Sequence, residues 1–137
     1  MSYSHKILLV EDDTDIANIY STVLKDSGCT VQIARDGNAA LATAAEFKPD
    51  LILLDIMIPG VDGLEVLRKI RTDPSQQENH PKIIVMTNLD QEEKVEQAKQ
   101  HGADGYIVKA NIVPHELLEL VRQLEDTSPP AGEQPQA

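Results

Sequence analysis

Cysteine and basic residues are scarce in this sequence, and each scarcity excludes some classes of function. The one cysteine, Cys29, cannot form a disulfide within the chain and has no second thiol with which to bind a metal. The chain has 12 lysines and arginines against 23 aspartates and glutamates, a net charge of -11. Because so acidic a chain repels a phosphate backbone, we expect no nucleic acid partner.

Long apolar runs are absent as well. The N-terminal stretch MSYSHKILLVEDD has only four consecutive apolar residues, Ile7 to Val10, before three acids. A signal-peptide core needs about seven to fifteen such residues, and a membrane-spanning helix needs about twenty. We therefore expect a cytoplasmic protein without a membrane partner.

Apolar residues nevertheless make up 41% of the 137 residues, which is enough for the core of one domain. Five short runs are candidate strands: Lys6 to Val10, Val31 to Ala34, Leu51 to Leu54, Ile83 to Met86 and Tyr106 to Lys109. Runs of this length with few polar interruptions are typical of strands that are buried on both faces.

Amphipathic stretches follow these runs. After the first run, apolar residues recur with helical spacing and stop near Gly28: Ile16, Ile19, Tyr20, Val23 and Leu24. Similar patterns predict helices near Asn38 to Phe47, Leu64 to Arg71, Gln91 to His101 and Pro114 to Glu125. A capping-box pattern from Asp90 and the proline at position 114 favour the last two.

This alternation predicts an α/β fold, namely a doubly wound (βα)5 three-layer sandwich around a five-stranded parallel sheet. The expected strand order is 2-1-3-4-5. Two segments lie outside the alternation. Thr72 to Pro81 is predicted to be a polar loop, and Asp126 to Ala137, with three prolines in twelve residues, is predicted to be a disordered tail.

The residues that end each strand are the chemically informative ones, because ligands of open parallel sheets bind beyond the carboxyl ends of the strands. Acids, a hydroxyl and an ammonium group end four of the strands: Glu11, Asp12, Asp13, Asp55, Thr87 and Lys109. The second strand is followed only by the turn sequence RDG. Each of these residues alone has a plain structural interpretation, and Asp13 or Thr14 is expected to cap the next helix.

Together they indicate a site for phosphoryl transfer. Clustered carboxylates repel one another, and Mg²⁺ commonly lies between such oxygens and a phosphate. Glu11, Asp12 and Asp55 supply oxygens for the ion. Lys109 supplies a positive charge for a phosphate oxygen, and Thr87 supplies a hydroxyl. We therefore predict Mg²⁺ as the cofactor and Asp55 as the nucleophile that becomes an aspartyl-phosphate.

These motifs resemble the receiver domain of bacterial response regulators, of the single-domain, chemotaxis-regulator-like type. The resemblance covers about residues 5–125 and rests on four motifs: ILLVEDD (7–13), LILLDIMIPGVDG (51–63), IIVMTN (83–88) and GADGYIVK (102–109). It implies a receiver domain over residues 1–125 and a proline-rich tail over 126–137. The implied function is a phosphoacceptor switch in a two-component phosphorelay, not an enzyme acting on a separate substrate.

The resemblance also implies how the switch works. A histidine kinase or a phosphotransfer protein donates the phosphoryl group to Asp55, and Lys109 contacts the phosphate. Thr87 is the implied switch hydroxyl and Tyr106 the implied switch aromatic. The changed surface binds a downstream protein, as a monomer or as a dimer that forms on phosphorylation.

The implied metal ligands are Asp12, Asp55 and the backbone carbonyl of Met57, with Glu11 acting through water. Asn88, Met57 and Leu89 are the implied neighbours of the phosphate. Neither Met57 nor Leu89 can orient a water by a strong hydrogen bond, which predicts slow loss of the phosphate.

The chain departs from the family pattern at two positions. Ala110 follows Lys109, where the family usually has a proline, so the loop KANIVP is expected to take a different path. Asn88 replaces a residue that is usually small.

Three other functions are alternatives to this one. A haloacid-dehalogenase-type phosphohydrolase expects a second aspartate two residues after its nucleophile, where this chain has Met57. A flavodoxin-like electron carrier expects a glycine- and hydroxyl-rich loop after the first strand, where this chain has three acids. A receiver-like scaffold that binds partners without phosphorylation normally lacks the acceptor, an acid or the lysine; all are present here, and this alternative stays open.

Overall fold

Strands and helices alternate along the chain. The structure, a computed structural model, describes residues 5–58, 60–74, 80–87, 92–109, 117–119 and 122. Within these residues the elements are β1 (Lys6–Val10), α1 (Thr14–Asp26), β2 (Thr30–Ala34), α2 (Gly37–Phe47), β3 (Leu51–Asp55), α3 (Gly63–Thr72), β4 (Lys82–Thr87), α4 (Glu92–Gln100) and β5 (Gly105–Val108). Residues 117–119 and 122 are also helical.

The five strands form one sheet in which every pairing is parallel and the order is β2-β1-β3-β4-β5. This confirms the predicted fold and strand order. The register places strand ends at the same level, because Val10 pairs with Leu54 and Asp55 pairs with Met86. Glu11, the residue after Val10, therefore emerges beside Asp55 at the carboxyl edge of the sheet.

Apolar side chains cover both faces of the sheet, which gives the fold three layers. On one face, Leu8 and Val10 pack with buried residues of α2, α3 and α4. On the other face, Ile7 and Leu9 pack with α1 and with Leu117. Fully burying one such side chain contributes about 1.5–3 kcal/mol. The central strand β3, whose five residues are all buried, is thus held from both sides.

The buried face of α1 differs from the prediction. The apolar pattern predicts that Ile19 is buried, but its side chain is 49% exposed. The buried residues of the helix are Ala17, Tyr20, Ser21 and Leu24. Ala17 and Ser21 are small, so the helix can lie close to the sheet on the face that they share with Tyr20 and Leu24, and Ile19 is left in solvent.

Element ends differ from the prediction by about one residue. Thr72 belongs to α3 and not to the following loop, and Lys109 lies just beyond β5. The predicted cap at Asp90, the helix start at Pro114 and the tail Asp126 to Ala137 lie outside the described residues. In the described part of the chain, no helix is both long enough and apolar enough to cross a membrane.

Candidate functional site

Three carboxylates meet at the carboxyl edge of the sheet. The register of β1 with β3 places Glu11 beside Asp55, and Asp12 follows Glu11 along the chain. One oxygen from each of the three carboxylates lies within 4.8 Å of the other two. Glu11 and Asp55 are buried, whereas Asp12 is exposed. The structure therefore brings together the three acids that were predicted to bind a metal.

Lys109 places an ammonium group between two of these acids. Its Nζ atom lies 3.0 Å from Glu11 Oε1 and 3.0 Å from Asp55 Oδ2. Because β4 separates β5 from β3 in the sheet, the lysine side chain must extend past the end of β4 to make these contacts. The backbone N–H of Lys109 donates to the carbonyl of Thr87 at 2.8 Å, which holds the lysine at this edge.

Backbone N–H groups hold the two buried carboxylates. The N–H of Met57 donates to Asp55 Oδ1 at 2.9 Å, and the N–H of Asp13 donates to Glu11 Oε2 at 3.1 Å. The carboxylate of Asp13 accepts from the N–H of Asp15 at 3.0 Å and from that of the next residue at 3.1 Å. Asp13 therefore caps α1, as predicted, and its carboxylate is directed to the helix.

The cluster carries more negative than positive charge. Burial, together with repulsion from Asp55, raises the pKa of Glu11 to about 7. Burial lowers the pKa of Lys109, but hydrogen bonds to Asp55 and Glu11 and the attraction of their charges together outweigh burial, so that pKa lies above its ordinary value. When all three acids are ionised, they face one ammonium group. A hard divalent cation such as Mg²⁺, with its preference for oxygen ligands, fits this donor set.

Thr87 and Tyr106, the two predicted switch residues, differ in exposure. Thr87 ends β4 and is 2% exposed, whereas Tyr106 on β5 is 46% exposed. The Nζ atom of Lys99 lies 5.5 Å from the centroid of the Tyr106 ring, within the range of a cation–π contact. Val95, Glu96, Lys99 and Tyr106 line a cavity of about 250 Å³. The tyrosine ring therefore faces α4 in this conformation.

The residues predicted to neighbour the phosphate are described only in part. The side chain of Met57 is 51% exposed, two residues after Asp55. Asn88, Leu89 and Ala110 lie outside the described residues, and so does the predicted path of the loop after Lys109.

The RDG residues after β2, the last of which begins α2, received no role from the sequence, yet they contact two other segments at the carboxyl edge. Arg35 donates to the hydroxyl of Thr14, at the start of α1, over 2.8 Å. Gly37 lies against Val61, in the connection that follows β3. No local pattern marks this second contact, because it joins residues that are far apart in the sequence.

Comparisons with known proteins agree with this architecture. The family model of the response regulator receiver domain matches residues 7–122. A curated relative, the DNA-binding response regulator MtrA of Mycobacterium tuberculosis, is 36% identical over 117 residues, which are 85% of this chain and 49% of that protein. The chain thus spans about half the length of the curated relatives it matches.

Solved structures of response regulators are also similar to this chain. The chemotaxis response regulator CheY4 of Vibrio cholerae has a TM-score of 0.80 at 30% identity and covers 89% of this chain and 99% of its own. A signal receiver domain from Bermanella marisrubri has a TM-score of 0.79 at 36% identity, over 90% of this chain and 99% of its own. With the family model covering most of its length, the chain belongs to the response regulator receiver domain family.

Proposed function

We propose that this receiver domain accepts a phosphoryl group on Asp55 with the help of Mg²⁺, and that the phosphate switches a protein-interaction surface. Phosphorylation and Mg²⁺ binding are general features of the family. The observation that carries the proposal is the position of Asp55. It ends the central strand, is 3% exposed, and has Oδ1 bonded to the N–H of Met57 and Oδ2 to Lys109.

The phosphoryl donor is a histidine kinase or a phosphotransfer protein. A carboxylate oxygen of Asp55 attacks the phosphorus of a phosphohistidine, so an O–P bond forms as the P–N bond breaks. The leaving imidazole nitrogen takes the electron pair of that bond and then a proton. Lys109, which already contacts Asp55, balances the charge on a phosphate oxygen, and Thr87 offers its hydroxyl to another.

Four residues are assigned to Mg²⁺. Asp12, Asp55 and the backbone carbonyl of Met57 would bind the ion directly, and Glu11 would act through water. When bound, the ion supplies positive charge for the phosphoryl oxygens. The exposure of Asp12 suits a ligand at the open side of the cluster, where a phosphoryl donor arrives.

The switched surface is assigned to α4 and β5. Among the described side chains of α4, only that of Ala98 is buried. Displacing the helix therefore uncovers little apolar area and has a low free-energy cost. Thr87 responds to the phosphate, and Tyr106, which now lies beside Lys99, changes position in turn.

The output of the switch is contact with a downstream protein, by a monomer or by a dimer that forms on phosphorylation. We assign residues 1–125 to the receiver domain and 126–137 to a proline-rich tail. The DNA binding named for MtrA belongs to a protein about twice as long. The net charge of -11 argues against nucleic acid as a partner of this chain.

Labelling with a phosphodonor tests the proposal. Acetyl phosphate and Mg²⁺ should add one acid-stable, base-labile phosphate to the native protein, and Asp55→Asn should abolish it. Asp50→Asn is the matched control, because Asp50 precedes the same strand at its opposite end and is exposed. Intact-mass spectrometry measures the result. Equal labelling of the Asp55 variant would refute the assignment, and labelling that needs no Mg²⁺ would refute the metal's role.

A further inference from the structure

The first residue of α2 lies against the connection between β3 and α3. A Cβ atom at Gly37 would lie 2.1 Å from the carbonyl oxygen of Val61 and 2.7 Å from its Cβ atom. The closest of these atoms belongs to the backbone, so a side-chain rotation cannot relieve the contact. Carbon needs more than 3 Å from such an atom, so even a methyl group would separate the two segments by about 1 Å.

Space, not backbone conformation, is what requires glycine at this position. The glycines with positive φ in the described part of the chain are Gly28, Gly60 and Gly102, and Gly37 is not among them. Alanine is a better helix former than glycine, so the helix itself would gain from the exchange. The helix start is fixed independently by Asp36, whose side chain accepts from the N–H of Ala39 at 2.8 Å.

The connection that Gly37 touches begins at the candidate site. Its described residues are 56–58 and 60–62, directly after Asp55. The N–H of Met57 donates to the carboxylate of Asp55, and the N–H of Gly63 donates to the carbonyl of Ile56 at 3.1 Å. A Cβ atom at Gly63 would lie 2.6 Å from that carbonyl oxygen, so the two ends of the connection are also in close contact.

The connection between β3 and α3 therefore has little freedom to adjust when Val61 is displaced. Ile56 and Ile58 are buried in the same core as the inner face of α2, and Val61 packs against that core. A displacement of about 1 Å is large for such a site, because misplacing a reacting group by that amount can reduce a rate by roughly a hundredfold. Along the chain, the part of the site nearest to Val61 is the hydrogen bond from the N–H of Met57 to Asp55.

We propose that Gly37 is a positioning residue for the acceptor site. By carrying no side chain, it lets α2 hold the β3–α3 connection where the N–H of Met57 reaches Asp55 and where the carbonyl of Met57 can face the metal. The RDG turn, which had no assigned role, thereby contributes to metal binding. The part of this inference that concerns the metal rests on the proposed function above.

The test compares Gly37→Ala with Ala44→Val. The second variant also adds volume to the buried face of α2, but about 10 Å further along the helix and away from Val61. Gly37→Ala should speed amide hydrogen exchange at Met57 by about tenfold in the metal-free protein, and should weaken Mg²⁺ binding in calorimetry by about tenfold. Ala44→Val, compared with Gly37→Ala at an equal loss of melting temperature, should change neither the exchange rate at Met57 nor the affinity for Mg²⁺.

If Gly37→Ala matches Ala44→Val in both measurements, Gly37 is only a packing residue and the inference is wrong. If Gly37→Ala does not fold, Val61→Gly removes the Cβ atom that faces Gly37 and frees the backbone of the connection, and an unchanged Met57 amide in that variant overturns the inference. The exchange measurement needs no metal. A native protein that binds no Mg²⁺ would therefore refute the proposed function, while exchange at Met57 would still decide the role of Gly37.

Discussion

Arg71, near the end of α3, joins three segments at the amino edge of the sheet, opposite the candidate site. Its guanidinium donates to the carbonyl oxygens of Gly102 at 2.8 Å and Pro81 at 2.7 Å, and to Asp104 Oδ2 at 2.8 Å. The same oxygen of Asp104 accepts from the N–H of Ile83 at 2.8 Å. We predict that Arg71→Met lowers the free energy of unfolding by about 3 kcal/mol.

The size of this loss depends on which hydrogen-bond partners of Arg71 stay buried after the substitution. A hydrogen bond from a charged group contributes roughly 1.5–3 kcal/mol when its partner stays buried, and little when water replaces it. Gly102 is exposed, so water takes over its carbonyl, whereas Pro81 is buried. The side chain of Asp104 is 38% exposed, so solvent screens part of its ion pair. Methionine retains most of the apolar stem, so packing changes little.

Arg68→Met is the matched control, one turn earlier on the same helix. Arg68 donates twice to Glu65, but both side chains are exposed, and such a pair contributes about 0.5 kcal/mol or less. Urea unfolding followed by circular dichroism measures both variants, since the chain has no tryptophan. A loss of about 3 kcal/mol in a domain of this size lowers the melting temperature by about 10 °C. Equal, small losses in both variants would refute the reasoning.

Asp12→Ala should abolish Mg²⁺ binding in calorimetry. Asp13→Ala should largely preserve Mg²⁺ binding and instead lower the free energy of unfolding by about 1 kcal/mol, because it removes the cap of α1. The reverse order would show that the two acids are misassigned. The phosphorylated native protein should lose its phosphate slowly in Mg²⁺, because neither Met57 nor Leu89 can hold an attacking water, and Met57→Asn or Leu89→Glu should speed the loss. A native protein that loses its phosphate within seconds, or variants no faster than it, would contradict this prediction.

Local signals in the sequence were sufficient for the elements and their order. A strand is marked by an apolar run of four or five residues, such as Leu51 to Leu54, and a helix start is marked by a capping carboxylate, such as Asp13. Both signals involve only a few neighbouring residues, so they can be identified in the sequence. Because parallel strands end at one edge of the sheet, the residues that follow each run could also be grouped from the sequence alone. That is how Glu11, Asp55 and Lys109 were placed together.

Tertiary structure decided what depends on contacts between distant segments. The apolar pattern in α1 predicted a buried face that includes Ile19, and only packing on the sheet turned the face with Ala17 inwards and left Ile19 in solvent. Burial, which raises the pKa of Glu11, follows from its position beside β3 and not from its neighbours in the chain. The contact of Gly37 with Val61 arises because the start of α2 packs against the β3–α3 connection, and the space between two such backbones is set only when the layers pack.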